Sequence, residues 1–199
     1  MITRQGEPAA AEKFRLQWTE NAEHIMPAML PSAPTRSTAS WLIDYTPIIE
    51  QGLVDLIRWV EEGDAPPNTT YEYSHGQVSL PDTAAARGGI QPVVTLTVDG
   101  GVRADVQVGA PVVLEARAEV PPGTGTIVSV EWDFDGQAGF PAHEAVDGTA
   151  AAGTWSTTHA YDAPGTYFAS VRVCSNREGD VDGEFRRLPN LAAVRIVVT

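Results

Sequence analysis

Residues 127–136, IVSVEWDFDG, carry the reading of the whole chain. Taken two at a time, the stretch puts Val128, Val130, Trp132 and Phe134 on one side and Ser129, Glu131, Asp133 and Asp135 on the other, the alternation of a half-buried strand. Asp135-Gly136 closes it with turn chemistry. Downstream, His159-Ala160-Tyr161 and Pro164-Gly165-Thr166-Tyr167 form a corner that leads into a second strand. There Tyr167, Ala169, Val171 and Val173 point one way.

Outward from these two strands the pattern repeats. Residues 93–98 alternate, Asp99-Gly100-Gly101 reads as a hairpin signal, and residues 102–108 follow. In residues 112–120, Leu114, Ala116, Ala118 and Val120 oppose Glu115, Arg117 and Glu119, as in an antiparallel sheet with one wet face. Residues 155–160 and 166–173 are read as the next pair, and residues 191–198 close the sheet. About seven strands in some 110 residues suit an immunoglobulin-like sandwich. Residues 137–153, rich in Gly and Ala and longer than a usual sandwich loop, are expected to be mobile or to form a contact surface.

The W-D-F-D-G strand end and the H-x-Y-x-x-P-G-x-Y corner resemble the PKD domain. The resemblance implies an immunoglobulin-like antiparallel β-sandwich over residues 90–199 and a binding or spacer module without catalysis. It makes Trp132 the core indole and Tyr161 a corner residue whose hydroxyl meets a backbone group, with Phe134 and Tyr167 also structural. Such modules usually sit outside the cell, so an extracellular location is expected, against a first stretch that shows no apolar signal-peptide core. The implied partner is a protein or glycan bound through the sandwich.

Residues 1–87 read as a small α/β segment, with the joint to the sandwich placed at Ala84-Ala85-Ala86-Arg87-Gly88-Gly89. Residues 14–18 alternate as a short strand, residues 25–40 are a Pro-broken loop, and residues 71–73 and 77–80 are short extended pieces. The one helix starts at Thr46, read as its N-cap, with Pro47 at the first helical position, and stops at Gly63. Ile49, Leu53, Leu56 and Val60 recur along it at helical spacing and need a surface to pack on. Residues 14–67, ending in Trp59-Val60-Glu61-Glu62-Gly63-Asp64-Ala65-Pro66-Pro67, resemble the C-terminal end of tannase-like and feruloyl-esterase-like α/β-hydrolases. That resemblance sets His24 at the triad histidine and makes the chain the tail of an ester hydrolase whose core, a further expected partner, is missing. No G-x-S-x-G elbow occurs in the sequence, so His24 has no nucleophile of its own to activate. The expectation is an accessory module, a remnant of a secreted esterase and inactive alone; the alternative is part of a split esterase.

Chemistry elsewhere is sparse. With 26 acidic against 13 basic residues the formal charge is −13, which opposes nucleic acid and anionic membrane as partners. The single Cys174 excludes an intrachain disulfide and reads as an idle thiol on an outward face. Asp180, Asp182 and Glu184, with Glu178, alternate around a turn and are a candidate calcium site, set against a solvated hairpin tip neutralised by Arg177, Arg186 and Arg187. Asp133, Asp135 and Asp162 are a second carboxylate group, also readable as turn caps. No other cofactor is indicated.

Overall fold

The computed structural model describes residues 13–24 and 40–199; the polar leader and most of the Pro-broken loop lie outside the described residues. Helix α1 (Thr46–Glu62) is followed by a hairpin of β1 (Glu72–Ser74) and β2 (Gln77–Ser79) and by a one-turn helix α2 (Ala84–Arg87). Eight strands come next: β3 (Val93–Val98), β4 (Arg103–Val106), β5 (Pro111–Glu119), β6 (Thr126–Asp133), β7 (Ala142–His143), β8 (Ala152–Ala160), β9 (Gly165–Asn176) and β10 (Leu188–Val198). One sheet runs β4-β10-β9-β6-β7 and the other β3-β5-β8, giving a mainly β, immunoglobulin-like sandwich with, among the described residues, one long helix before it.

The core lies between the sheets. Leu96, Val112, Leu114, Ala116 and Ala118 from the three-stranded sheet face Val130, Trp132, Ala169, Val171, Val173, Val194 and Ile196 from the five-stranded one. Alternating side chains along each strand place them there, because only one face of each sheet is shielded from water. In β6 the alternation is interrupted. Ile127 pairs with Ser175 and Ser129 with Cys174, so Val128 is an extra residue in a bulge, and Ile127 and not Val128 joins the core cluster.

Two pairings differ from the sequence reading. The Asp99-Gly100 turn closes tightly, with Gly101 N–H donating to Val98 O at 2.9 Å, yet β4 leaves β3 and pairs in parallel with β10. Val113 N–H donates to the Asp99 carboxylate and Asp99 N–H to Val113 O, which ties the turn to β5 and directs the chain across to the other sheet. Likewise β8 pairs with β5 and β9 with β10 and β6, so the Tyr161 corner joins sheets instead of forming a hairpin.

The first half is fastened to the sandwich by polar contacts and a small apolar cluster. Residues 14–18 are extended but not a strand, since Leu16 N–H donates to the Asn68 side chain and Trp18 N–H to Thr69 Oγ1 where a partner strand would lie. Asn21 donates to Asn190 Oδ1 and Leu191 O, and Arg87 pairs with Glu20. Ile43, Ile48, Ile90, Leu188 and Leu191 form the second cluster. Between α2 and β3, Gly88 (φ +64) would bring a Cβ to 2.6 Å from Asn68 O, so only glycine admits this approach.

Helix α1 begins one residue earlier than Thr46 as cap: Tyr45 is the N-cap, and the Asp44 carboxylate accepts from Thr46 N–H and Oγ1. Gly63 ends it in the left-handed conformation. Its orientation reverses the expectation from the stripe. The buried positions are Ile48, Gln51 and Asp55, while Ile49, Leu53, Leu56, Ile57 and Val60 are exposed. On the inward side the guanidinium of Arg177, from the β9–β10 loop, meets Asp55 at 3.0 Å, while Gln51 Nε2 donates to the other oxygen of the same carboxylate at 2.8 Å. A buried carboxylate held by a cation and an amide is costly to separate from them, because removing either partner leaves a buried charge uncompensated.

Candidate functional site

Trp132 stands at the centre of a row of rings. Its indole is 1 % exposed and its Nε1 donates to Glu144 Oε1 at 2.9 Å. Phe134 lies parallel to it with ring centroids 6.4 Å apart and stacks on His159 at 4.4 Å; His159 meets Tyr161 edge-on at 4.7 Å, and Tyr161 stacks on Tyr167 at 4.1 Å. The Tyr161 hydroxyl donates to Phe134 O at 2.7 Å, and that of Tyr167 to Ala163 O at 3.0 Å. Burial, with Asp135, Tyr167 and Asp133 nearby, pushes the Tyr161 phenol far above its usual range. Burial holds the His159 imidazole below its ordinary value despite Asp135 and Asp162, so it is neutral at pH 7. The row forms one wall of the sandwich.

On the opposite side of β6, Asp133 is fully buried. Its Oδ1 accepts from Gly136 N–H (3.1 Å) and Gln137 N–H (3.3 Å), and its Oδ2 from Ala138 N–H (2.7 Å) and Ser40 Oγ (3.0 Å). This carboxylate shapes the turn after the strand and pins the first half to it. Asp135 caps Gln137 N–H, and its own carboxyl is pushed up by burial and by the hydrogen bond with Asp133. Asp162 is exposed and does not join them.

The β9–β10 loop is organised by amide and guanidinium groups. Asn176 Oδ1 accepts from Glu178 and Asp180 N–H, and Asp180 Oδ1 accepts from Asp182 and Gly183 N–H. Asp182 and Glu184 are exposed, and Glu178 pairs with Arg186. Asp180, Asp182 and Glu184 are therefore not brought together as a ligand set; among the described residues no group of three or more His, Cys, Asp or Glu side chains is placed to hold a metal ion. His24 is exposed at a bend, and no described side chain hydrogen-bonds to it. Cys174 is buried on the outward face of β9, where burial raises its thiol pKa and keeps it unreactive.

Residues 137–153 are held to the body of the protein. Phe140 is buried under the Arg172 guanidinium, which stands 4.1 Å from its centroid and donates to Glu131 at 2.7 Å. Gly148 passes so close to Gly179 that a Cβ on it would lie 2.0 Å from Gly179 O. Sequence reasoning had no means to find Phe140, Glu144 or Ser40 as partners, since each meets its site across the fold.

The loop also borders an open cleft at one edge of the sandwich. Ile127, Val146, Ala152, Gly153 and Trp155 line about 460 Å³ of space. The Trp155 ring lies directly against Gly153, 2.5 Å from where a Cβ on that residue would stand. Alongside, β8 ends its three-stranded sheet, and over nine residues its outer edge pairs with no described strand. AGTWSTTHA has no Lys, Pro or acidic residue to blunt that edge.

Two facing sheets around one apolar core make an immunoglobulin-like sandwich. Residues 95–182 match the model of the PKD domain, and this stretch is a PKD domain. Among solved structures, the chain is similar to the CARDB domain of a Pyrococcus furiosus protein, with 16 % identity over 55 % of this chain and 97 % of that one and a TM-score of 0.39. A crystal structure of a CARDB domain from the same organism, in complex with di-metal ions, gives 18 %, 54 %, 94 % and 0.38. The PKD domain of an M14-like peptidase from a Thermoplasmatales archaeon gives 14 %, 54 %, 92 % and 0.35. No curated protein matches the chain. The esterase-like resemblance of residues 14–67 gains no support from these matches.

Proposed function

We infer that this chain is a non-catalytic accessory module whose PKD sandwich takes an extended protein segment along the β8 edge. In this reading residues 88–199 are the binding unit and residues 1–87 its docking part. The observation that carries it is the nine-residue free edge beside the Trp155 cleft. Unpaired strand N–H and C=O groups are answered in register only by another backbone, and a cleft beside the edge takes one side chain of the added strand. This favours a polypeptide over a glycan, whose hydroxyls have no matching repeat.

The test is a nuclear magnetic resonance titration of the full chain with short uncharged β-branched peptides and, separately, with soluble xylan and glucan oligosaccharides. Peptides are expected to shift and protect the amides of residues 152–160, and Trp155→Ala to weaken the effect at least tenfold. Shifts with oligosaccharides alone would move the ligand class to glycan; silence of residues 152–160 with both would remove the edge from the function. The esterase origin is a separate proposal resting on the wording of residues 14–67. It expects no hydrolysis of p-nitrophenyl acetate by this chain alone, and a turnover abolished by His24→Ala would overturn that.

A further inference from the structure

We propose that the segment taken by the β8 edge is basic, an extended polypeptide with two Lys or Arg side chains on one face, one for each end of the edge, and an apolar residue between them. This rests on the reading of that edge as the binding site and adds the chemistry of what it takes. The register of the sheet fixes which backbone groups are on offer. Val113, opposite Thr158 of β8, turns its N–H to the Asp99 carboxylate and its O to Asp99 N–H. In an antiparallel pair, residues that exchange hydrogen bonds alternate with residues that do not, so Thr158 and every second residue from it are turned away from β5. Val120 N–H donating to Ala151 O continues the same alternation past the end of the strand. Thr154, Ser156 and Thr158 therefore direct their N–H and C=O groups outward, where an added strand meets them in register. The half-buried positions are the intervening ones, Gly153, Trp155, Thr157 and His159, so the added residue opposite Trp155 lies on the cleft side.

Charge selects the occupant. Asp147 is exposed and lines the cleft with Gly153 and Trp155; its carboxylate bonds within its own turn, to Thr149 N–H at 3.0 Å and Thr149 Oγ1 at 2.7 Å. At the other end of β8, Asp135 and Asp162 are exposed and act on the His159 imidazole. Among the described residues none of these three carboxylates has an ion-pair partner. The arginines of the neighbouring β9–β10 loop are engaged elsewhere, Arg177 with Asp55, Arg186 with Glu178, and Arg187 with Val181 O and Gly183 O. Arg117, on the β5 strand beside β8, stands between Glu115 and Glu119 and leaves that face acidic as well. From residue 153 to residue 159 is six steps, about 20 Å along a strand, and an even number of steps puts both cations of the added strand on the cleft side. A second copy of this chain is a poor occupant. Antiparallel pairing of β8 with β8 would bring Asp147 of one copy to Asp135 and Asp162 of the other, on two chains of formal charge −13 each. The same charge draws a cationic segment in from a distance.

Amide shifts of residues 152–160 in the full chain, titrated with end-capped β-branched peptides of about nine residues, test this. One peptide is neutral, one carries lysines spaced by the six steps above, and one carries glutamates in the same places. In about 20 mM salt the lysine peptide is expected to bind about fivefold tighter than the neutral one, from two exposed ion pairs, and the glutamate peptide more weakly than either. At about 0.5 M salt the advantage is expected to vanish. Moving the lysines to an odd spacing puts them on opposite faces and is expected to remove most of it. Asp147→Asn with Asp162→Asn keeps the oxygen that Thr149 uses and is expected to bring the ratio of lysine to neutral affinity to about one. Equal affinities of the lysine and neutral peptides at low salt, or an advantage indifferent to spacing and to the two substitutions, would overturn the proposal and leave the peptide-edge reading standing. Silence of residues 152–160 with every peptide would remove both. Broadening of the same amides with protein concentration alone would give the edge to a second copy and overturn the basic partner.

Discussion

Replacing Asp133 by Asn leaves the shape of the side chain and removes its charge, and the structure gives the consequence atom by atom. An amide offers one oxygen where the carboxylate offers two. If its NH₂ took the Oδ1 place it would face both Gly136 and Gln137 N–H; at the Oδ2 place it faces only Ala138 N–H and the Ser40 hydroxyl. Ser40 can turn round and accept, because a hydroxyl both donates and accepts. The amide therefore settles with nitrogen toward Ala138, and one buried N–H loses its partner. A hydrogen bond to a charged group contributes about 1.5–3 kcal/mol, and an abandoned buried donor adds a further desolvation cost. Part is returned when the neighbouring Asp135 loses its like-charged companion. The net expectation is a loss of about 3 kcal/mol, or roughly 6–12 °C in Tm for a chain of this size. Urea denaturation of wild type, Asp133→Asn and Ser40→Ala measures it, with Ser40→Ala expected to lose only about 1 kcal/mol. A loss below about 1 kcal/mol for Asp133→Asn would refute the view that the carboxylate organises this turn.

Trp132→Ala removes a fully buried indole and is expected to cost about 3–5 kcal/mol in the same assay; a loss below about 1 kcal/mol would place the ring outside the core. His159 is expected to titrate below the usual imidazole value. The unfolded imidazole binds its proton near pH 6.5 while the folded one, desolvated against Phe134, takes it only at lower pH, so stability falls as pH drops below about 6.5. An imidazole titration of the folded chain with a midpoint at or above that value would contradict this.

The strands and the core faces were legible in the sequence because they depend on a period of two that a chain carries within itself. Val171, Val173 and Trp132 face inward wherever the neighbouring strands come from. The Asp135-Gly136 turn and the Gly63 helix stop are equally local, since each follows from the backbone conformations those residues allow. The candidate sites were less legible. The Trp155 cleft depends on Gly153 and residue 146 meeting across two elements, and Glu144 finds Trp132 only after the chain has folded back on the sheet.

Pairing and orientation belong to the assembled molecule. Nothing in residues 103–106 distinguishes a hairpin partner of β3 from a parallel neighbour of β10; Asp99 bonding to Val113 decides it. In α1 the apolar stripe pointed to the wrong side, because a hydrophobic pattern counts only the transfer of side chains from water. The polar side of the helix faces inward, where Arg177 meets Asp55, and a buried carboxylate once formed there cannot be parted from its cation without a large cost. Asp55 and Arg177 are far apart in the chain, and only the fold brings them within 3.0 Å of each other.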